Sequence, residues 1–185
     1  FFRRILRFYS NPDHILFTVS RGLFSGTSKT TFSPNTTLTR GMFVTALGRL
    51  EGIDPADYKN GKFTDVKSNA YYAPYVNWAA SKGIVSGTTS STFAPDSSIT
   101  REQMAAILYR YAQYKKYNTA ASSSLNSFSD HTSISGYAVA SLQWSVAEKL
   151  VNGSAGKLMP TGNATRAQVA AILHRFVENV AKSTK

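Results

Sequence analysis

Along the chain, apolar residues recur every three or four positions in short runs, separated by polar stretches rich in Gly, Ser, Thr and Pro. Tyr72, Val76 and Ala79 mark one run within residues 70–82, and Ala140 and Trp144 mark another within residues 136–149. Met104, Leu108 and Tyr111 form a third stripe; Val169, Leu173 and Phe176 form its counterpart, and Phe43, Leu47 and Leu50 a further one. This spacing predicts amphipathic helices rather than strands. A lone two-helix unit cannot hide such stripes from water, so the helices are expected to pack together.

The pattern is a repeat. Sliding the sequence by 61 places residues 22–50 on residues 83–111 and matches Gly22, Ser25, Gly26, Thr27, Thr31, Phe32, Pro34, Thr39, Arg40, Leu47 and Arg49. Sliding by 65 places residues 100–111 on residues 165–176, where Thr, Arg, Gln, two Ala, Ile, Leu and Arg coincide. Ordinary composition gives a chance match at roughly one position in 15 to 20, so repetition is the better account. Each unit reads as a front helix, a glycine-containing loop, a polar loop with an aromatic and a proline, and a second helix. Phe17 takes the place of Trp78 and Trp144 in the first unit. The reading is therefore an all-α fold, three helix–loop–helix repeats packed as a pseudo-threefold helical bundle. Its boundaries are an atypical segment 1–12, a partial first repeat 13–60, a second repeat 61–116, a flexible-looking linker 117–126 and a third repeat 127–181. The last residues, 181–185, read as a frayed tail.

The second helices announce their starts. Thr100 with Gln103, and Thr165 with Gln168, have the T-x-x-Q spacing of a capping box, whereas Met42 replaces the Gln after Thr39. Immediately after each capping Thr stands an arginine: Arg40, Arg101 and Arg166. A cation at the positive end of a helix dipole costs about 0.3–1 kcal/mol, so three occurrences ask for a compensating role. One is an anion pocket, in which the guanidinium fork and free helix-start amides hold a carboxylate or phosphate. The other is an internal ion pair, such as Arg101 with Asp65 or Asp96. A second arginine nine positions on (Arg49, Arg110, Arg175) falls on the opposite helix face and reads as solvated.

Composition narrows the partner. Lys and Arg number 21 against 10 Asp and Glu, a net charge of +11, which favours an anionic partner if it is more than an aid to solubility. There is no cysteine, which excludes disulfides and thiolate chemistry. His14, His131 and His174 are scattered and lack metal-ligand spacing, so neither a metal nor a cofactor is expected. No run reaches the roughly 18 apolar residues of a membrane span. The opening Phe1-Phe2-Arg3-Arg4-Ile5 is a poor signal peptide and suggests a fragment with a missing upstream cargo domain.

The ordered motifs resemble the S-layer homology (SLH) domain family. The second repeat carries Phe63-Thr64-Asp65, then Trp78-Ala79 running to Gly87, then Phe93-Ala94-Pro95-Asp96, then Thr100-Arg101-Glu102-Gln103. The likeness extends over about residues 13–181. It implies a non-catalytic extracellular module of the bacterial cell wall or S-layer, which binds an anionic secondary cell-wall polysaccharide, commonly one with pyruvate ketals. By the same resemblance Arg40, Arg101 and Arg166 would meet the carboxylate. Asp65, Asp130, Trp78, Trp144, Gly87, Thr88, Gly26 and Thr27 would line or brace the glycan grooves.

Plainer roles stand beside these. The tryptophans suit a core, the aspartates suit loop or cap positions, and Gly26, Gly87 and Gly153 suit helix C-caps. The sequence also departs from the family pattern. Glu is absent from the fourth place of every T-R motif, Arg4 stands at the register of Asp65, and Leu158-Met159-Pro160-Thr161 replaces F-A-P-D. Catalysis has little support, since no acidic pair, G-x-S-x-G or H-E-x-x-H is present. A structural lattice module and nonspecific nucleic-acid binding remain the alternatives.

Overall fold

The computed structural model describes residues 12–28 and 31–182. The expectations for residues 1–11, including Arg4, and for the final three residues lie outside them. Among the described residues six α-helices follow one another: α1 (Pro12–Ser20), α2 (Arg40–Glu51), α3 (Ala73–Ser81), α4 (Arg101–Tyr114), α5 (Val139–Ala147) and α6 (Arg166–Phe176), the last running into a π-helical turn, Val177–Ala181. Short 3₁₀ turns lie at Pro55–Asp57, His131–Ser133 and Gly136–Ala138. Among the described residues there are no strands, only isolated bridges.

The helix starts are built as the sequence predicts. Both T-x-x-Q pairs form full capping boxes. Thr39 still accepts the Met42 amide at 3.2 Å, so the first repeat keeps half of its box. The front helices end one turn earlier than expected. Just after the front helices the left-handed residues are Gly22 (φ 68°), Gly83 (φ 69°) and Lys149 (φ 58°), so Gly26, Gly87 and Gly153 are not the C-caps, although Gly153 is itself left-handed at φ 68°. Gly87 is needed for a different reason: a Cβ there would lie 2.2 Å from the Thr89 carbonyl oxygen and 2.4 Å from that of Thr92.

Helices pair across repeats rather than within them. α2 packs on α3, α4 on α5, and α6 on α1, so the second helix of each unit meets the front helix of the next and the last closes on the first. At the centre three backbone bonds run in a cycle. Leu38 donates to Ala164 O, Ala164 donates to Ile99 O and Ile99 donates to Leu38 O, each at 2.9 Å. These three residues are buried, as are Trp78, Trp144, Phe43, Met104, Leu108, Val169, Leu173 and Phe176. Ala140 proves solvent-exposed, and Ala138 and Leu142 fill the core beside Trp144 instead. The segment read as a flexible linker is anchored: Leu125 is buried, and Ser123 donates to Gln143 O at 3.2 Å.

The closing contact between α1 and α6 carries a histidine pair. His14 Nδ1 and His174 Nδ1 share a 2.8 Å hydrogen bond, and Phe17 stacks on His174 at 4.2 Å. Histidines 160 positions apart are thus neighbours, which their spacing did not suggest. Asp13, Arg175 and Glu178 surround them.

Burial holds the His14 pKa below its ordinary value, with repulsion from His174 and Arg175 adding to the effect and Asp13 opposing it. The unfolded chain, with an ordinary imidazole value of about 6.5, takes up the proton first. His14 therefore costs nothing above that value and destabilises the fold as pH falls through it, levelling off below the folded value. Thermal melts at constant ionic strength should show a lower Tm at pH 5 than at pH 7.5. The drop should shrink in His14→Gln, which keeps a partner for His174; an unchanged drop would clear His14 of the effect.

Candidate functional site

Each second helix begins on a loop from the next repeat in the cycle. The Arg40 and Gly41 amides donate to Ser97 O and Pro95 O, those of Arg101 and Glu102 to Gly162 O and Pro160 O, and those of Arg166 and Ala167 to Thr36 O and Pro34 O, at 2.8–3.0 Å. The first amides are therefore occupied and are not free for an anion. What aims the carbonyls is a strained turn. Ser33, Ala94 and Met159, each just before a proline, have φ of 53°, 56° and 52°, a left-handed region unfavourable for residues with a Cβ.

The arginine side chains lie in the same seams. Arg40 Nε donates to Phe93 O at 2.9 Å, Arg101 Nε to Leu158 O at 2.7 Å and Arg166 Nε to Phe32 O at 2.8 Å. Two guanidinium groups also stack on aromatic rings, Arg40 on Phe93 and Arg166 on Phe32, both with Cζ 4.5 Å from the ring centroid. Leu158 denies Arg101 such a ring. All three arginines are buried, at 5–8% exposure. Burial lowers their pKa, opposed at Arg40 by Tyr137 and Asp65, at Arg101 by Asp130 and at Arg166 by Tyr71. The expected ion pairs of Arg101 with Asp65 or Asp96 do not form; carbonyl oxygens compensate the buried charge instead.

Three grooves follow, one per seam. Groove A is lined by Arg40, Arg110, Tyr137 and the loop Ser86-Gly87-Thr88. Groove B is lined by Arg166, Arg49, Tyr71 and Ser25-Gly26-Thr27. Groove C is lined by Arg101, Arg175, Gly153 and Ser154, and is wider, about 730 Å³ against 340 and 330 Å³. The second arginines are not merely solvated. They do face away from the first arginine of their own helix, yet that turns each toward the first arginine of the preceding repeat. Arg49 Nη1 donates to Leu23 O at 3.3 Å and Arg175 Nη1 to Leu150 O at 3.2 Å, steadying the loop beside each groove.

The proposed site residues therefore divide. Arg40, Arg101, Arg166, Gly26, Thr27, Gly87 and Thr88 line grooves, although the Thr27 and Thr88 hydroxyls also close their own turns on Thr31 O and Thr92 O. Asp65 and Asp130 do not. Asp65 accepts the Phe93 and Ala94 amides at 2.8 and 2.7 Å, and Asp130 accepts those of Leu158 and Met159 at 2.9 and 2.7 Å. These aspartates brace the strained turns from behind. Trp78 and Trp144 are 1% exposed and serve the core, not a sugar face. Tyr71 and Tyr137, both 55% exposed at the groove mouths, escaped the sequence reading. The signal was present in their matching places seven residues before Trp78 and Trp144. Among the described residues no group of three metal-ligating side chains occurs.

The arrangement suits a planar or tetrahedral anion between two guanidinium groups from different repeats, with a tyrosine ring as an apolar face in grooves A and B. Comparison with known proteins bears on what such grooves serve. The S-layer homology domain model matches residues 9–41, 62–105 and 127–170. An amylopullulanase of Thermoanaerobacterium thermosulfurigenes is 37% identical over 171 residues, 90% of this chain and 9% of that protein. An endoglucanase of Bacillus sp. (strain KSM-635) is 36% identical over 86% of this chain and 17% of its own length. The surface-layer 125 kDa protein of Lysinibacillus sphaericus is 28% identical over 90% of this chain and 14% of its own. The chain thus spans less than a fifth of these relatives.

The seam bonds make the arginine after each cap part of the fold. Arg40→Ala leaves the Phe93 carbonyl without its partner and should cost about 1–3 kcal/mol in urea unfolding. Arg101→Ala, which loses no aromatic stack, should cost less by about 0.5–2 kcal/mol. Equal midpoints for wild type and both variants would show that the seams do not depend on these side chains.

Proposed function

The chain belongs to the S-layer homology domain family, a family of cell-wall anchoring modules, and from that premise we propose that its grooves hold an anionic secondary cell-wall polysaccharide without acting on it chemically. The ligand group is a carboxylate borne on a sugar, best met by a pyruvate ketal. The module would keep an exported protein at the cell surface, as a non-covalent anchor for whatever cargo the longer polypeptide carries.

One observation carries the reading: each groove sets two guanidinium groups, from different repeats, beside a glycine–hydroxyl loop. A guanidinium fork suits a carboxylate, and a charge-assisted bond of this kind contributes about 1.5–3 kcal/mol. The buried member of each pair is already fixed by its carbonyl bond, so little side-chain entropy is lost on binding. In grooves A and B the tyrosine offers a flat apolar surface to a sugar ring. The glycine keeps the loop backbone close enough to approach the ligand.

Nonspecific binding to nucleic acid would need only the net charge of +11, without the pairing of arginines in clefts. Co-sedimentation separates the two. The chain should be retained on purified bacterial walls, lost when the secondary polymer is chemically extracted, and little displaced by duplex DNA. Arg110→Gln alters groove A at a side chain outside the buried seam, so it should weaken retention about tenfold or more for that groove while the Tm stays within a degree or two. Retention that survives polymer extraction, or that DNA abolishes, would overturn the proposal.

A further inference from the structure

Groove A has a support that the other two lack. Glu102, the second residue of α4, is 5% exposed and accepts three hydrogen bonds from the third repeat. These come from Ser135 N at 3.0 Å, Ser135 Oγ at 2.8 Å and Tyr137 Oη at 3.1 Å. The tyrosine it holds is the one at the mouth of groove A. Ser135 precedes the 3₁₀ turn Gly136–Ala138 that carries Tyr137, so both the backbone and the ring tip are fixed by one carboxylate.

The same place in the other repeats is filled differently. Gly41 and Ala167 stand where Glu102 stands. A Cβ on Gly41 would lie 3.1 Å from the Tyr72 ring and 3.0 Å from Pro95 O, so Tyr72 occupies the space that Glu102 uses in its own seam. In the third repeat the residue matching Tyr72 is Ala138, small enough to admit the glutamate. The exchange is compensated: glycine with tyrosine in one seam, glutamate with alanine in the next. Its consequence differs at the surface. Tyr71 of groove B is held by an edge contact with Tyr72 at 5.1 Å between centroids, with no hydrogen bond to a carboxylate. In the first repeat Ser10 stands at the register of Tyr71.

We infer that Glu102 is a positioning residue that fixes Tyr137 as a preformed sugar platform and makes groove A the tightest of the three grooves. It does not touch the ligand; it acts through Tyr137. A ring already held in place loses less freedom on binding than one that must be ordered by the ligand. The carboxylate also keeps the tyrosine a donor. Burial and Glu102 push its pKa up to about 12, so the bond persists across the working pH range. This inference rests on the glycan reading above.

The test is calorimetry of the whole chain with a methyl hexoside bearing a pyruvate ketal, and with the same glycoside lacking the ketal. Wild type should bind the ketal form in a tight class assignable to one groove, plus weaker binding. Glu102→Ala should weaken the tight class about tenfold and leave the weaker binding unchanged. Glu102→Gln, which keeps an acceptor for Tyr137, should recover to within about threefold of wild type. In a Tyr137→Phe background the added Glu102→Ala change should cost less than about twofold, because the link is already cut.

A merely structural role for Glu102 would lower the Tm and weaken every groove alike. That result, or an unchanged tight class in Glu102→Ala, would overturn the inference while leaving the ketal preference of wild type intact. No preference of wild type for the ketal glycoside would remove the glycan reading, and the inference with it.

Discussion

The fold depends on a constraint at the start of each second helix: its first amides have no partner within their own repeat. A helix leaves its opening N–H groups unpaired, and a cap satisfies only part of them. Here the remainder go to carbonyls of the next repeat, through Pro95 and Ser97, Pro160 and Gly162, and Pro34 and Thr36. The same loops receive the buried arginines. In a single repeat the amides and the guanidinium group would have only water as partner, and the apolar stripes would stay exposed. Three repeats satisfy one another only by closing, which they do through the cycle of Leu38, Ile99 and Ala164 and the packing of α6 on α1.

The grooves are by-products of that closure. Each seam brings an arginine fixed by a carbonyl next to an arginine on the following repeat, and covers them with a glycine–hydroxyl loop. The strained residue before each proline turns the carbonyls inward, and Asp65 or Asp130 clamps the turn from behind. A feature that began as a penalty, a cation at a helix N-terminus, becomes tolerable because carbonyl dipoles and aromatic faces surround it. Further donors tie down the groove loops: Arg40 Nη2 donates to Ser86 O at 3.4 Å and Arg166 Nη2 to Ser25 O at 2.7 Å. On the proposed reading, binding and folding would share the same side chains, and substitutions at Arg40 or Arg166 would act on both. Arg110 offers a cleaner separation.

Much of this was legible in the sequence wherever the cause was local. Thr100 with Gln103 and Thr165 with Gln168 announced their capping boxes, and the apolar stripes through Met104, Leu108 and Tyr111 and through Val169, Leu173 and Phe176 gave the core. What could not be read was the partner of each arginine. Arg166 bonds to Phe32, 134 positions away, because the ring closes. Helical-wheel reasoning placed Arg101 and Arg110 on opposite faces correctly, but it could not show that the opposite face meets another repeat's Arg40. The aspartates and tryptophans entered the site through family resemblance, and the structure gives them supporting work instead. Glu102 was visible only as one letter of the Thr100–Gln103 motif, and its meaning required Ala138, 36 residues later.

The most direct measurement of the central claim is arginine side-chain NMR. The Nε–Hε resonances would be followed while purified secondary wall polymer is titrated into the labelled chain. The account predicts that signals of groove arginines, Arg40 and Arg110 foremost, shift together and saturate, while Arg21, which lies over Phe17 outside the grooves, stays in place. Saturable binding with the groove signals unmoved, and with Arg21 and the surface lysines shifting instead, would contradict it.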